Sequence, residues 1–317
     1  MQIHQLRYVQ EVSRQNLNIS AAAKALNASQ PTVSSQIHLL EEELKLKIFE
    51  RHGKRLTSIT LEGYGILELA SRILLDVENI YQLASERSES NIGELSIGTT
   101  HTQARYALPY AIKVFSQKFP SVVLNIVQGT PTDIAEMLLS GKIDIGIATE
   151  ALDQVPSLSV FPCYEWNRSI VVSKDHPLLD EKELTLESIA KYPLITYSKD
   201  ITGRAKQDEA FLEKGLTPNI VFTASDADVI KTYVELGLGI GIIASMAFNK
   251  DKDISLHGID ASHLFHSSTT LLAFRSHSYL KKYCYAFIEC FDPNLTKTVI
   301  REHMKSNNYS PLKHISE

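Results

Sequence analysis

The chain has 317 residues, 44% of them apolar and 22% charged, an ordinary globular composition with room for two or three domains. No run of about 18 apolar residues occurs, which argues against a membrane-spanning helix. Met1-Gln2-Ile3-His4-Gln5-Leu6-Arg7 lacks the basic-then-apolar pattern of an export signal, and Cys163, Cys284 and Cys290 suit a reducing cytoplasm better than a disulfide scaffold. The net charge of −5, taken whole, speaks against a polyanion partner.

The charge is unevenly placed. Residues 1–60 carry eight Lys/Arg and five acids, a balance of +3, which leaves −8 for the rest. A small basic head on an acidic body is the asymmetry expected of a nucleic-acid-binding segment.

In that head, Leu6, Val9 and Val12 recur at helical spacing. Ser20 is the expected cap of a second helix, Ala21 to Leu26, and Asn27-Ala28 breaks the pattern. Ser29 then caps a third helix with Pro31 in its first turn. Val33, Ile37, Leu40 and Leu44 form its buried stripe. The opposite face shows Pro31, Ser35 and His38, flanked by Thr32 and Ser34. Small polar groups on the first two turns, followed by Glu41, Glu42 and Glu43, suit a helix whose N-terminal turns enter the major groove. A plain amphipathic helix would also have this periodicity. The following Phe49–Thr57 segment sets Arg51, Lys54 and Arg55 around a Gly turn, as in a hairpin wing whose cations reach phosphate.

Ser29-Gln30-Pro31-Thr32-Val33-Ser34-Ser35-Gln36-Ile37, with Leu40-Glu41, Leu44, Phe49 and Arg51, resembles the winged helix-turn-helix of LysR-type transcriptional regulators. Thr60-Leu61-Glu62-Gly63 resembles the start of that family's linker helix. Lys45 departs from the family, which usually has Gly after the recognition helix. The resemblance implies DNA contacts from Ser29, Gln30, Pro31, Thr32, Ser34, Ser35, His38, Arg51, Lys54 and Arg55. The reading face lacks an Arg for bidentate guanine contact, so DNA shape should carry much of the specificity.

Leu67, Ala70, Leu74, Val77, Tyr81 and Ala84 follow spacings of three and four, an a/d seam expected to pair two copies. The alternative is a helix packed on its own domain.

From Gly93 onward, strands alternate with helices. The pattern predicts strands at 94–99, 122–128 and 144–149 with helices at 102–115 and 132–139. It repeats with strands at 219–223 and 239–244 and a helix at 226–236. Further strands are expected at 169–173, 194–197 and 269–274, then a helix at 279–291. Gly141 before one closing strand matches Gly237 before the other. The expected architecture is an α/β effector domain of two similar lobes behind an all-α winged helix-turn-helix head and a long linker helix. The boundaries are 1–60 for the head, 61–91 for the linker helix, 92–292 for the effector domain and 293–317 for a C-terminal tail, loosely ordered over Ser306–Glu317. Lobe one takes about 92–162 and 268–292, lobe two about 163–267.

Ligands gather at the carboxyl ends of strands in such sheets. Thr100, Thr102 and Gln103 follow the first strand, Gly129 and Thr130 the second, and Thr149 ends the third. Trp166, Thr202 and Gly203 face them from the other lobe. Hydroxyls, an amide and open helix starts suit a small polar anion, not catalysis; any single Thr is equally explained as a helix cap.

Thr99 to Pro109, Ala148-Thr149-Glu150, Trp166, Ile201–Arg204 and Asp226–Val234 are similar to the LysR subgroup that regulates cysteine biosynthesis and sulfur assimilation. That resemblance implies a periplasmic-binding-protein-like effector domain. It assigns Thr100, Thr102, Gln103, Thr149, Trp166 and Thr202 to the pocket and implies an acetylserine inducer or a sulfate or thiosulfate anion. In the alternative branch of the subgroup the effector is a sulfonated nucleotide. It also implies a cytoplasmic, non-enzymatic activator without cofactor, acting on double-stranded promoter DNA as a homodimer or homotetramer with RNA polymerase. A solute-binding protein, sharing the two lobes, is the rival from another class.

Other signals carry less. Gly237-Leu238-Gly239-Ile240-Gly241 has the wrong spacing for a dinucleotide site. His263 and His266 have no further partner for a metal. Cys284 and Cys290 form no CxxC pair, and no G-x-S-x-G or Walker loop occurs.

Overall fold

The first turn of the second head helix is capped by Asn18, whose side-chain oxygen accepts the Ala21 N–H at 3.0 Å. The sequence reading placed that cap on Ser20. Asn16 and Leu17 adopt left-handed conformations (φ 50° and 65°) and deliver Asn18 to the cap position. Ser20 sits inside the turn and donates to Gln30. In this computed structural model, residues 1–53, 55–86, 91–199 and 201–307 are described. They form two units, Met1–Ser88 with His277–Tyr279, and Glu89–Ser276 with Leu280–Glu317.

The first unit contains α1 (Ile3–Arg14), α2 (Ile19–Ala25), α3 (Gln30–Leu44), strands β1 (Phe49–His52) and β2 (Arg55–Ile59), and α4 (Leu61–Glu86). Leu6, Val9, Val12, Val33, Ile37 and Leu40 meet in one core with Ile48, Phe49 and Leu56 of the wing. Ser29 caps α3 as expected, accepting the Thr32 N–H at 3.2 Å. Lys45 ends α3 in the left-handed conformation, φ 55° and ψ 33°, the conformation that the family's Gly adopts without steric cost.

The expected linker seam divides. Leu67 and Ala70 are buried in the head's core and Leu74 packs against it, so this part of α4 belongs to its own unit. The exposed apolar row is Leu69, Ile73, Ile80 and Leu83, about 100° around the helix from the predicted seam.

The second unit holds two five-stranded sheets. Lobe one comprises β3 (Gly93–Thr99), α5 (Leu108–Lys118), β4 (Val122–Gln128), α6 (Pro131–Leu139), β5 (Ile145–Thr149) and β6 (Leu158–Trp166). Lobe two comprises β7 (Arg168–Ser173), α7 (Leu186–Ile189), β8 (Leu194–Tyr197), α8 (Thr202–Glu213), β9 (Ile220–Ala224), α9 (Ala227–Glu235), β10 (Ile240–Ala244) and β11 (Leu256–Asp260). The chain then returns to lobe one as β12 (Ser268–Arg275), α10 (Lys282–Phe291) and α11 (Lys297–Asn307). The strand orders are β4-β3-β5-β12-β6 and β9-β8-β10-β7-β11 in matching sense. Each has three parallel strands followed by two antiparallel ones. Gly141 and Gly237 end α6 and α9 with φ +74° and +76°, left-handed positions that permit the same tight turn into β5 and β10.

Three expectations need correction. Helix 102–115 runs on to Lys118 and begins with a π-wound turn, Gln103–Ala107, closed by the Leu108 N–H donating to the Gln103 carbonyl. Pro109 has no N–H to return to residue 105, and the widened turn absorbs that loss. The helix expected from Tyr279 starts at Lys282. Lobe one exceeds its expected bounds: β6 carries it to Trp166, which was expected across the cleft, and Leu295 and Ile300 beside α11 are buried in its core; of the expected loose segment Ser306–Glu317, residues 308–317 lie outside the described residues. Strands β6 and β11 were not expected. Both lie at sheet edges, where Pro162 and Gly258 interrupt the strand pattern without breaking a central ladder. Among the described residues, no helix is long and apolar enough to cross a membrane.

Candidate effector site and nucleic-acid interface

The cleft end of lobe one is set by strand register. Thr270 of β12 lies opposite Thr149 of β5 and Tyr164 of β6, while Ser268 lies opposite Trp166. Gln103, only 1% exposed, reaches this row from the π turn. Its amide donates to the Thr270 hydroxyl at 2.9 Å, and its carbonyl accepts from Tyr164. Gln103 is therefore held rigidly with a second N–H in reserve. The Gly129 N–H donates to the Thr99 carbonyl at 3.2 Å, which closes the β4 turn onto the end of β3. Thr100 accepts the Ala104 N–H on its carbonyl and so opens the helix.

Sequence reasoning missed Arg168. This side chain is fully buried and opens β7 where the chain passes between lobes. It donates to the His266 carbonyl at 2.8 Å, the Gly203 carbonyl at 3.1 Å and the Ser268 hydroxyl at 3.0 Å. Its guanidinium lies 5.3 Å from the Trp166 ring centre. One cation thus joins both crossing strands to the start of α8. Its signal was available: an Arg two residues after the single tryptophan, at the head of an otherwise apolar strand. Nearby, Asn167 donates to the Ser262 and Phe265 carbonyls, both at 3.1 Å, and pins the same crossing.

Beside Arg168 and at the end of β3 stand groups with unused hydrogen-bonding capacity. Trp166 Nε1 and Thr99 Oγ1 are buried and without a hydrogen-bond partner among the described residues. Gly203 is buried, and a Cβ on it would stand 3.5 Å from the Trp166 ring. Tyr197 is buried on the other wall. Its phenol accepts the Ala244 N–H at 3.2 Å and interacts with the Thr102 hydroxyl, and burial pushes it up to about 12. A buried cation, an indole N–H, hydroxyls and two helix starts make a donor-rich site suited to an anion.

One expected pocket residue stands apart. Thr130 caps α6: it accepts the Asp133 N–H at 3.2 Å and donates to the Asp133 carboxylate at 2.7 Å, so its hydroxyl is spent locally. Thr202 opens α8, but its side chain lies outside the described set. His263, set aside as a ligand, interacts with the Leu184 carbonyl at 2.9 Å. His101, Asp226 and Asp228 are grouped within 4.8 Å, but Arg105 stands 2.6 Å from Asp228 and already neutralises it.

In the head, Ser29, Gln30, Pro31, Thr32, Ser35 and His38 are exposed on α3, and Ser34 is half-buried. Arg55 is exposed on β2. Lys54 lies outside the described residues. Arg51 is turned inward, 3.5 Å from the Glu41 carboxylate. Glu41 itself is 2% exposed. The sequence reading grouped it with the acids leaving the groove. Instead it accepts the N–H groups of Ile48 and Phe49 at 2.9 and 3.1 Å, bracing α3 against the wing. Glu42 and Glu43 do remain exposed, with Glu42 paired to His38 at 3.2 Å.

This architecture matches two family profiles: the bacterial regulatory helix-turn-helix protein, lysR family, over residues 3–64, and the LysR substrate binding domain over residues 88–295. The chain belongs to the LysR family of DNA-binding transcriptional regulators, which removes the solute-binding-protein alternative. Within it, the chain is 51% identical over 311 residues to the transcriptional regulator CysB of Haemophilus influenzae, covering 97% of this chain and 96% of that one. It is 44% identical over 308 residues to the regulator cbl of Escherichia coli, covering 97% and 98%. The crystal structure of the cofactor-binding domain of the Cbl regulator aligns with a TM-score of 0.65 at 46% identity, over 67% of this chain and 93% of that one. The protein is thus a transcriptional regulator of the group that governs sulfur assimilation and cysteine biosynthesis.

Proposed function

We propose that this regulator binds a small sulfur-pathway anion between its lobes and that occupancy biases its action on promoter DNA. The observation that carries this reading is the unpartnered buried indole N–H of Trp166 beside the buried Arg168 guanidinium. A donor left bare in a cation-lined site is costly unless a ligand accepts from it. Acetylserine, through its carboxylate, and sulfate or thiosulfate have the required chemistry; a sulfonated nucleotide, the effector that resemblance to the other branch of the subgroup implies, is the second reading. Thr100, Thr102, Gln103, Gly129, Thr149, Trp166, Thr202 and Gly203 supply the contacts.

The DNA-facing set is Ser29, Gln30, Pro31, Thr32, Ser34, Ser35, His38 and Arg55, and the family resemblance adds Lys54, which lies outside the described residues. Arg51 acts through Glu41. The exposed row on α4 supports pairing with a second copy, two heads reading two half-sites. Assembly to a tetramer, contact with RNA polymerase and action in the cytoplasm complete the reading, which assigns no catalysis.

A thermal-shift and calorimetric screen with sulfate, thiosulfate, O-acetylserine, N-acetylserine and adenosine phosphosulfate tests it. At least one should bind, and Trp166→Phe should weaken it about tenfold. If none binds, or if Trp166→Phe and Thr100→Ala bind like wild type, the site lies elsewhere.

A further inference from the structure

The helix opening that presents Gln103 to the cleft also sends three side chains, His101, Arg105 and Tyr106, to the opposite lobe. Tyr106 packs against the hydrophobic core of lobe two, the cluster that includes Ala227, Ile230 and Ala247. Its phenol donates to Asp228 at 2.8 Å, and Arg105 lies 2.6 Å from the other oxygen of the same carboxylate. His101 stands 3.5 Å from that second oxygen. From lobe two's own side, Lys231 approaches Asp228 at 3.3 Å and donates to Tyr106 at 3.2 Å. Lys231 is itself fixed by the Ala247 carbonyl at 3.0 Å and Asp253 at 2.9 Å.

Asp228 therefore gathers three residues of lobe one onto the first turn of α9. Burial opposes its charge, but the Tyr106 hydrogen bond and the Lys231 ammonium prevail and hold the carboxyl below its ordinary range. It is an anion at neutral pH, able to hold the cations and the phenol together.

The sequence interleaves the two sets. Thr100, Thr102 and Gln103 serve the cleft; His101, Arg105 and Tyr106 serve Asp228. All six lie within seven consecutive residues, 100–106, at the opening of one helix, so the two sets are mechanically linked. We propose that Asp228, though on the opposite lobe, is a positioning residue for effector binding: by holding Arg105 and Tyr106 it fixes the turn that presents Thr100, Thr102 and Gln103 and ties occupancy to lobe closure. This rests on the effector reading above. Coupling of this kind is reciprocal: a ligand that orders the turn strengthens the latch by the same factor that the latch strengthens the ligand.

The test is calorimetric titration of the full chain with sodium sulfate and, separately, O-acetylserine. Asp228→Ala and Tyr106→Phe should each weaken binding about five- to tenfold. The double variant should lose little more than either single one, and Asp228→Asn, which keeps an acceptor for Tyr106, should recover part of the loss. Thr185→Ala is the control. It removes the cap of another lobe-two helix, α7, where Thr185 accepts the Ser188 N–H at 3.1 Å, and should bind like wild type. Asp228→Ala and Tyr106→Phe within twofold of wild type, or an equal loss in Thr185→Ala, overturn the proposal. A wild-type chain that binds neither ligand overturns the effector reading and this proposal together.

Discussion

The Nη2 of Arg168 stands 3.1 Å from the carbonyl oxygen of Gly203, so a strand that has just crossed between lobes is bonded to the first turn of α8. The same nitrogen also reaches Ser268, and Nη1 reaches His266. A lysine has one nitrogen and no planar fork, so Arg168→Lys keeps the charge and abandons buried acceptors. It should cost about 2–3 kcal/mol, read as a lower urea midpoint, and should weaken effector binding at the same time. Full stability in Arg168→Lys would show that the fork is dispensable.

Glu41 and Arg51 make a second testable pair. Glu41→Ala leaves the N–H groups of Ile48 and Phe49 unpaired in a buried site and should destabilise the head by about 2–3 kcal/mol. DNA binding should fall in gel shifts although Glu41 lies 2% exposed. Arg55→Ala should lower the salt dependence of binding by about one phosphate, a slope change of roughly 0.9. Arg51→Ala should instead lower the melting temperature and leave the salt slope nearly unchanged.

Lys45 holds a left-handed helix end at φ 55°. A side chain there costs roughly 1 kcal/mol that glycine avoids. Lys45→Gly should therefore raise the thermal midpoint by a few degrees, and a lowered midpoint would mean that the Lys45 side chain contributes more than its conformation costs.

The apolar row on α4 has Leu69 54%, Ile80 66% and Leu83 55% exposed. Replacing Ile80 or Leu83 by Asp puts a charge into the proposed pairing face and should shift sedimentation from dimer toward monomer. Replacing Tyr81, 69% exposed but outside the row, by Asp should leave the assembly intact.

Burial, reinforced by Asp292, pushes the Cys163 thiol up to about 12. At pH 8 its thiolate fraction is then on the order of 10⁻⁴. Disulfide reagents should leave Cys163 unmodified in the folded protein and label it once urea is added. Rapid labelling at pH 8 without denaturant would contradict the burial.

Local pattern was legible where one face of an element is buried. The stripe Val33-Ile37-Leu40 and the paired glycines at 141 and 237 each stated their role in the sequence. What escaped were choices made by tertiary contact. Ser20 and Asn18 are equal caps until the φ of Leu17 is known. Glu41 reads like Glu42 and Glu43 until the wing folds back on it. Leu67 and Ala70 look like a dimer seam because the period reports an apolar face, not what covers it. In the site, polar residues at strand ends were readable, whereas Arg168 and Asp228 were not. Their partners on the other lobe or crossing strand lie about a hundred or more residues away in the chain, brought near only by the crossing strands.

Those crossings also order assembly in time. Lobe two's strands, β7 to β11, occupy one continuous stretch ending at Asp260, while lobe one needs β12 between β5 and β6. A nascent chain emerging from the ribosome can close the second lobe first and must hold the earlier one open at its centre until Ser268–Arg275 has been made. The exposed flanks of β5 and β6 are the segment that a growing chain must shield from its neighbours.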